Sequence, residues 1–336
     1  MQWRTATLYS ARGDRIRCDL CPLRCMLSDG QTGACGVRRR AGEVLQTATF
    51  ATVMQHVDAN ERKPFYHFRP GGRSLTLAVP GCTFACGYCI NHRISQYGRE
   101  PAVAWSGHPV DPAELVARAV AENADICFSY TEPSLALELT EAVAALARPA
   151  GVQVMWKSNG FLTPEAVERA APLLDAVNID VKAAGTAAHH RLTGAPLEPV
   201  LETMRQFARR GVWLEVTTPL IPGYSAEPEQ LAAIARTVAS VGAQVPWHLV
   251  RFTPTYRMTG HPPTTPAELA EAVRIAHAAG LRHVYVERAL GAEGRATRCA
   301  ACGDTLVRRG IWQLESCEIR AGGCPRCGHP IEGRWN

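Results

Sequence analysis

The sequence predicts an α/β protein. It is a partial, open parallel β/α barrel preceded by a cysteine-rich segment and followed by a small rubredoxin-like or zinc-ribbon domain. Three observations carry that reading. From about residue 74 to 290, apolar strand-like runs alternate with capped helical segments, which implies parallel strands with right-handed crossovers. Thirteen cysteines fall mostly into three groups, and the last group forms two Cys-x2-Cys-Gly knuckles. The expected divisions are 1–70 for the cysteine-rich segment, 71–292 for the barrel and 293–336 for the ribbon.

The elements follow in order. Ser74 to Gly81 is apolar, partly β-branched and closed by Pro80-Gly81, so it reads as a buried strand ending in a turn. Asp111-Pro112 is a cap with a first-turn proline and opens a helix through Ala121. Ile126 to Tyr130 is a strand, Leu135 to Leu146 a helix and Val152 to Trp156 a strand. Thr163-Pro164 opens another helix, Ala176 to Val181 is a strand, and Pro199 to Arg209 is a helix. Strands at Val212 to Thr217 and Trp247 to Phe252 flank a helix from Pro228 to Val241. Thr265-Pro266 opens the last long helix, ending at Gly280, and His283 to Glu287 is a final strand. That makes six or seven strands, fewer than a closed eight-stranded barrel has.

Composition narrows the class. Hydrophobic residues make up 46% of the 336, enough for a full core. The first residues, Met1-Gln2-Trp3-Arg4-Thr5-Ala6, contain no apolar leader, and no run approaches a membrane span. A cytoplasmic protein with no membrane partner is expected, its clustered cysteines serving as metal ligands rather than disulfides. The formal charge of +5 misleads. A three-thiolate [4Fe–4S] site contributes roughly −1 and a four-thiolate zinc site about −2, so the loaded protein is near neutral. Arg38-Arg39-Arg40 is therefore read as a solvated basic face, and nucleic acid is not an expected partner.

Cys82, Cys86 and Cys89 stand in Gly81-Cys82-Thr83-Phe84-Ala85-Cys86-Gly87-Tyr88-Cys89, a C-x3-C-x2-C loop. Such a loop can hold three irons of a [4Fe–4S] cluster and leave the fourth open for a substrate or cofactor; the bland alternative is a zinc knuckle or a reduced core loop. Its place at a strand's C-terminal end favours the cluster, because parallel α/β folds do their chemistry there. The spacing resembles the signature of the radical S-adenosylmethionine (SAM) superfamily. The resemblance implies SAM chelated at the open iron, then cleaved by one electron to methionine and a 5′-deoxyadenosyl radical.

Further polar residues mark strand ends: Thr131 and Glu132, Ser158 and Asn159, Asp180 and Lys182, Thr217 and Thr218, and Arg251. Together they outline a cofactor-binding rim, although each alone is an ordinary loop residue. Glu132 is expected to accept the methionine ammonium, against the alternative of a helix-cap acid. Tyr88 is expected beside the adenine. The segments Trp156 to Gly160 and Asn178 to Lys182 resemble those of pyruvate formate-lyase activating enzymes, which place an acid where this chain has Lys157 and use it with the Asp180 equivalent to hold a monovalent cation. The Lys157 ammonium is a substitute for that cation, or a plain salt-bridged lysine. Asp180 and Lys182 join the three cysteines as the reacting set.

Two further cysteine groups remain. Cys18, Cys21, Cys25 and Cys35 lie close in sequence, punctuated by Pro22, Gly30 and Gly33, and suit one zinc or a second cluster. Cys299, Cys302, Cys324 and Cys327 have ribbon spacing and suit structural zinc or a single redox-active iron. Cys317 and Cys127 read as small buried hydrophobes, with Cys127 also a candidate hydrogen-atom donor. His56, His189 and His190 read as ordinary polar positions, and Tyr66-His67-Phe68 as packing or a cover for the site.

Taken whole, the chain resembles the radical SAM component of the AmmeMemoRadiSam system. The match runs through Cys18-Asp19-Leu20-Cys21-Pro22, Lys63 to Phe68, Tyr130-Thr131-Glu132-Pro133, Ile221-Pro222-Gly223 and Pro246 to Leu249. It departs at Thr253, where histidine is expected, at Glu287-Arg288, where Gly-Asn should face SAM, and at Ile90, which replaces a glutamine. The expected activity is reductive SAM cleavage followed by hydrogen abstraction from an unidentified small-molecule or protein substrate, with a reductant such as flavodoxin or ferredoxin. The rivals are an activase that puts a glycyl radical on a partner protein, and a non-catalytic zinc-binding module.

Overall fold

A computed structural model describes residues 1–335. Its central element is an eight-stranded, mostly parallel open sheet: β1 Met54–Ala59, β2 Arg73–Ala78, β3 Asp125–Phe128, β4 Val154–Ser158, β5 Ala176–Asp180, β6 Trp213–Leu220, β7 Trp247–Arg251 and β8 Val284–Val286. Strand order follows chain order. β2, β3 and β4 pair in parallel, with Leu77 opposite Phe128 and Phe128 opposite Trp156. β6, β7 and β8 do likewise. Seven strands are those the alternation predicts. The eighth, β1, mixes polar and half-buried positions along its whole length, so it carries no apolar run to announce it.

The helices start where local chemistry allows. Asp111 accepts from the amide of Ala113 at 2.7 Å, and Thr163 from that of Ala166 at 3.2 Å. Thr265 and Glu268 form a capping box. The sequence reading missed the helix Thr186–Thr193, which runs from Gly185 to a left-handed Gly194 whose amide caps the His190 carbonyl at 2.8 Å. Its His189 is buried and bonded to the Ala195 carbonyl, not an ordinary polar position. Among the described residues no helix is long and apolar enough to cross a membrane.

The chain forms two compact units. The first contains residues 1–58, 73–177 and 198–212. In it, hairpins at Tyr9–Arg12 with Arg15–Cys18, and Arg38–Ala41 with Val44–Thr47, carry the first cysteine group. Here the basic triplet departs from expectation. Arg38 is only 1% exposed and clamps both carboxylate oxygens of Glu138 at 2.6 and 2.8 Å. It is a buried ion pair and not a solvated face, because the strand turns Arg38 inward beside Val37.

The second unit holds residues 59–72, 178–197 and 213 onward. It includes the antiparallel ribbon Thr297–Arg298, Thr305–Arg309 and Leu314–Cys317. The ribbon packs Leu306, Val307, Ile319 and Ile331 with Cys299 and Cys324, against partly buried Cys302, Leu314, Cys317 and Trp335, a small core that needs a staple.

Candidate functional site

In the first unit, β2 ends at Ala78 and the chain turns through Val79-Pro80-Gly81 into the cysteine loop. Gly81 has φ +92, and a Cβ there would lie 2.9 Å from the Cys35 carbonyl, so only glycine fits this close approach. The loop is tied on all sides. Gly81 donates to the Ile94 carbonyl at 3.1 Å, and Gln96 donates to the Phe84 carbonyl at 3.2 Å. Arg99 bonds the carbonyls of Thr83, Phe84 and Ala34.

The three thiols sit in one electrostatic neighbourhood. Burial raises the Cys82 thiol most, and the Glu132, Cys86 and Cys89 charges add to that. Such a thiol keeps its proton unless a metal takes its place, so Cys82 is not poised as a free nucleophile. The Phe84 amide donates to Cys82 Sγ at 3.4 Å, and Asn159 Nδ2 approaches it at 3.6 Å. Cys89 Sγ lies 3.3 Å from Ser95 Oγ. Hydrogen bonds of this kind hold ligating sulfurs and tune a cluster's potential.

Around the thiols the strand ends form one network. Glu132 is fully buried and accepts from Ser134 N at 3.0 Å, Ser158 Oγ at 2.8 Å and Asn159 N at 2.9 Å. It is thus the cap acid of the turn Pro133–Ala136 and also the tie between β3 and β4. Burial raises its carboxyl, and the Asn159 and Ser134 amides pull the other way. Asn159 in turn donates to Thr83 Oγ1 at 2.8 Å and accepts from Phe161 N. Thr131 Oγ1 bonds the Val79 carbonyl at 2.6 Å. Tyr130 holds φ +70, an uncommon conformation for a non-glycine residue, while Asn91 grips its carbonyl. Tyr88 and Lys157 are half-buried.

The remaining rim residues belong to the second unit, where Asp180, Lys182 and Thr217 have partners. Asp180 pairs with Lys182 at 2.7 Å. Thr217 donates to Asn178, whose amide reaches the Pro64 carbonyl at 2.6 Å. Arg251 is exposed at the end of β7. The side chains at 287 and 288 meet the ribbon. The Trp312 indole donates to Glu287, and Arg62 and Arg288 stack on Trp312 at 4.4 and 4.5 Å, so the departure at 287–288 clamps the ribbon's aromatic.

Sequence reasoning missed the polar interior of this unit. Glu215 is fully buried and takes the amides of Tyr66 and His67, the Trp213 indole, and His248 at 2.6 Å. Tyr66, His67 and Phe68 are packing residues, as the blander expectation held. A small cavity opens beside them, lined by Glu61, Tyr66, His248, Tyr285 and Glu287. The alternation of polar Glu215, Thr217 and His248 inside otherwise apolar strands is the signal that could have found it.

The C-terminal knuckles close tightly. Cys299 and Cys327 Sγ are 3.6 Å apart, Cys302 and Cys324 Sγ 3.7 Å, and all four lie within 4.8 Å of one another. Zn–S bonds of about 2.3 Å give tetrahedral edges of about 3.8 Å, so one mononuclear ion fits. Gly303 and Gly328, at φ +75 and +73, let each knuckle bond back to its first cysteine carbonyl at 2.9 and 2.8 Å.

A strand-end loop of three thiols on a mostly parallel sheet defines an iron–sulfur enzyme class, and comparison agrees. The radical SAM superfamily model matches residues 77–238. The chain belongs to the radical SAM superfamily, whose members carry out enzymatic radical chemistry. It is 33% identical to the uncharacterized protein MJ0808 of Methanocaldococcus jannaschii, over 98% of this chain and 99% of that one. It is 27% identical to an isethionate sulfite-lyase activating enzyme of Desulfovibrio desulfuricans, over 47% of this chain and 51% of that one. A radical SAM methyltransferase from Sphaerobacter thermophilus shares the fold, with TM-score 0.50 and 15% identity over 74% of this chain and 72% of that one.

Proposed function

We propose that Cys82, Cys86 and Cys89 hold three irons of a [4Fe–4S] cluster whose fourth iron takes SAM. When bound, that pair supplies a 5′-deoxyadenosyl radical for hydrogen abstraction from a substrate. The observation that supports this is the buried network Glu132–Asn159–Cys82, which fixes a strand-end asparagine against a ligating sulfur. Glu132 and Ser158 position Asn159, and Thr131 and Tyr130 shape the loop beside it. Asp180, Lys182 and Thr217 are proposed as rim residues of their own strand ends. Thirteen cysteines, most of them in ligand-spaced groups, suit a reducing, cytoplasmic setting. Flavodoxin or ferredoxin is the proposed reductant. Resemblance across the chain supports the AmmeMemoRadiSam assignment.

The test is anaerobic reconstitution with iron and sulfide, reduction, addition of SAM and detection of 5′-deoxyadenosine by mass spectrometry. Wild-type protein should form it and Cys86→Ala should not. A loaded, reducible wild type that neither forms product nor changes its EPR spectrum with SAM would overturn the proposal.

A second reading has one observation in its favour. The match to an isethionate sulfite-lyase activating enzyme spans about half of each chain. Under that reading the substrate is a partner protein, and a glycine-centred EPR doublet on that partner identifies it.

A further inference from the structure

The first cysteine group touches the cluster loop. The Cys35 carbonyl lies at the spot a Gly81 side chain would need, 2.9 Å away, and Gly81 is bonded to Cys82. Consecutive Cα atoms are about 3.8 Å apart, so Cys35 and Cys82 are spatial neighbours. The contact is stitched twice more. Arg99 donates at once to Ala34, Thr83 and Phe84 carbonyls, and Gly36 packs on Gly98, where a Cβ would come within 2.9 Å. Thr163, which follows Asn159 in the next turn, donates to the Asp19 carbonyl at 2.7 Å.

The four thiols are gathered with their own support. The Cys18 amide donates to the Cys25 carbonyl at 2.9 Å, and a Cβ at Gly33, two residues before Cys35, would lie 3.5 Å from Cys25 Sγ. Arg38 Nη1 lies 4.0 Å from Cys18 Sγ and is held there by Glu138 and the Thr7 carbonyl. Yet these thiols do not close as the ribbon does. Among the described residues only Cys299, Cys302, Cys324 and Cys327 bring their ligand atoms within 4.8 Å of one another. Four thiolates on one zinc sit about 3.8 Å apart. On a cubane each binds its own iron and they stand wider.

We infer that Cys18, Cys21, Cys25 and Cys35 bind a second [4Fe–4S] cluster, fully ligated by protein, that passes electrons to the site on the Cys82 loop. This rests on the radical SAM reading for its destination but not for its metal. The step is a one-electron chain. Reduced flavodoxin or ferredoxin gives up one electron, the N-terminal site moves from the 2+ to the 1+ state, and it returns to 2+ as the electron reaches the Cys82 loop. No proton or bond changes at the relay. Arg38 offsets the negative charge of the four thiolates, and a guanidinium near a sulfur raises the cluster's potential.

The full chain carrying Cys82→Ser, Cys86→Ser and Cys89→Ser tests the metal. After anaerobic reconstitution it should retain about four irons as a cubane by Mössbauer spectroscopy, separate from any single iron of the ribbon, and give a reduced EPR signal that SAM leaves unchanged. Zinc in that site, or loss of all cubane iron, overturns the inference. Cys21→Ser with Cys35→Ser tests the relay. Its signal should still respond to SAM. Its 5′-deoxyadenosine output should stay within about threefold with dithionite and fall at least about tenfold with reduced flavodoxin. An equal output with both reductants contradicts the relay. Failure of the wild type to respond to SAM sinks the radical SAM reading instead, while the iron count still decides this one.

Discussion

The ribbon thiols and the Cys82 loop thiols use the same side chain for opposite ends. In the ribbon, four sulfurs close to tetrahedral spacing on two matching knuckles, with no polar side chain among the described residues bonding them. In the loop, three sulfurs are surrounded by Ser95, Asn159 and a buried Glu132 network that spans two strand ends. A metal that only has to hold a fold needs a complete set of ligands. A metal that has to do chemistry needs an open position and a layer that fixes the remaining ligands. The difference teaches that an open ligand position together with the groups around the thiols separates the reactive centre from the staple.

The sharpest break between the two is a ligand deletion in each. Cys86→Ala should lower 5′-deoxyadenosine formation at least about a thousandfold while leaving one metal ion per chain on the ribbon, counted by mass spectrometry. Cys324→Ala should do the reverse. Structural zinc supplies on the order of 10 kcal/mol to folds of this kind, so amide exchange protection at Leu306 and Val307 should vanish while product formation stays within about threefold. Loss of both properties in either variant would erase the distinction.

A smaller effect is expected at Arg38. Arg38→Met leaves the buried Glu138 carboxylate bonded to Thr7 but without its guanidinium partner, which costs about 3–5 kcal/mol and should lower the urea midpoint without changing ribbon exchange. Glu132 sharpens the comparison through pH. Its carboxyl is raised in the folded chain by burial. The folded state therefore holds its proton to higher pH than the unfolded state, and stability falls as pH rises from the ordinary value of 4.5 through the raised one. Glu132→Gln should flatten that slope and, by loosening Asn159, weaken SAM binding about tenfold in a titration. An unchanged slope would mean that the carboxyl is not the group responsible. The smallest effect is Thr265→Ala, which removes a capping box and should cost about 1 kcal/mol in the unfolding midpoint, with neither metal site altered.

Much of this was legible in the sequence, for reasons that differ by residue. Asp111, Thr163 and Thr265 announce their helices because capping is local chemistry read within four residues. The parallel strands announce themselves because both faces are buried, as in Asp125–Phe128. The three cysteine groups are visible because ligand spacing is a short-range signal. What the sequence hides is long-range partnership. Arg38 looks like one of three surface arginines, and only a glutamate one hundred residues away makes it a buried ion pair. Glu132 looks like an open acceptor, and only Ser158 and Asn159 from the next strand show it as a tie. Nothing local in Glu287-Arg288 announces that both meet Trp312, twenty-five residues on from Glu287. The strand Met54–Ala59 lacked an apolar run, so no periodic signal marked it.

The most direct test of the central claim is electron–nuclear double resonance on the reduced protein with SAM labelled with ¹⁵N at its amino group. Three protein thiolates and one open iron predict a hyperfine coupling between the cluster and that nitrogen, present in the wild type and absent in Cys86→Ala. A fully loaded, reduced wild-type cluster with no such coupling at saturating SAM would contradict the account.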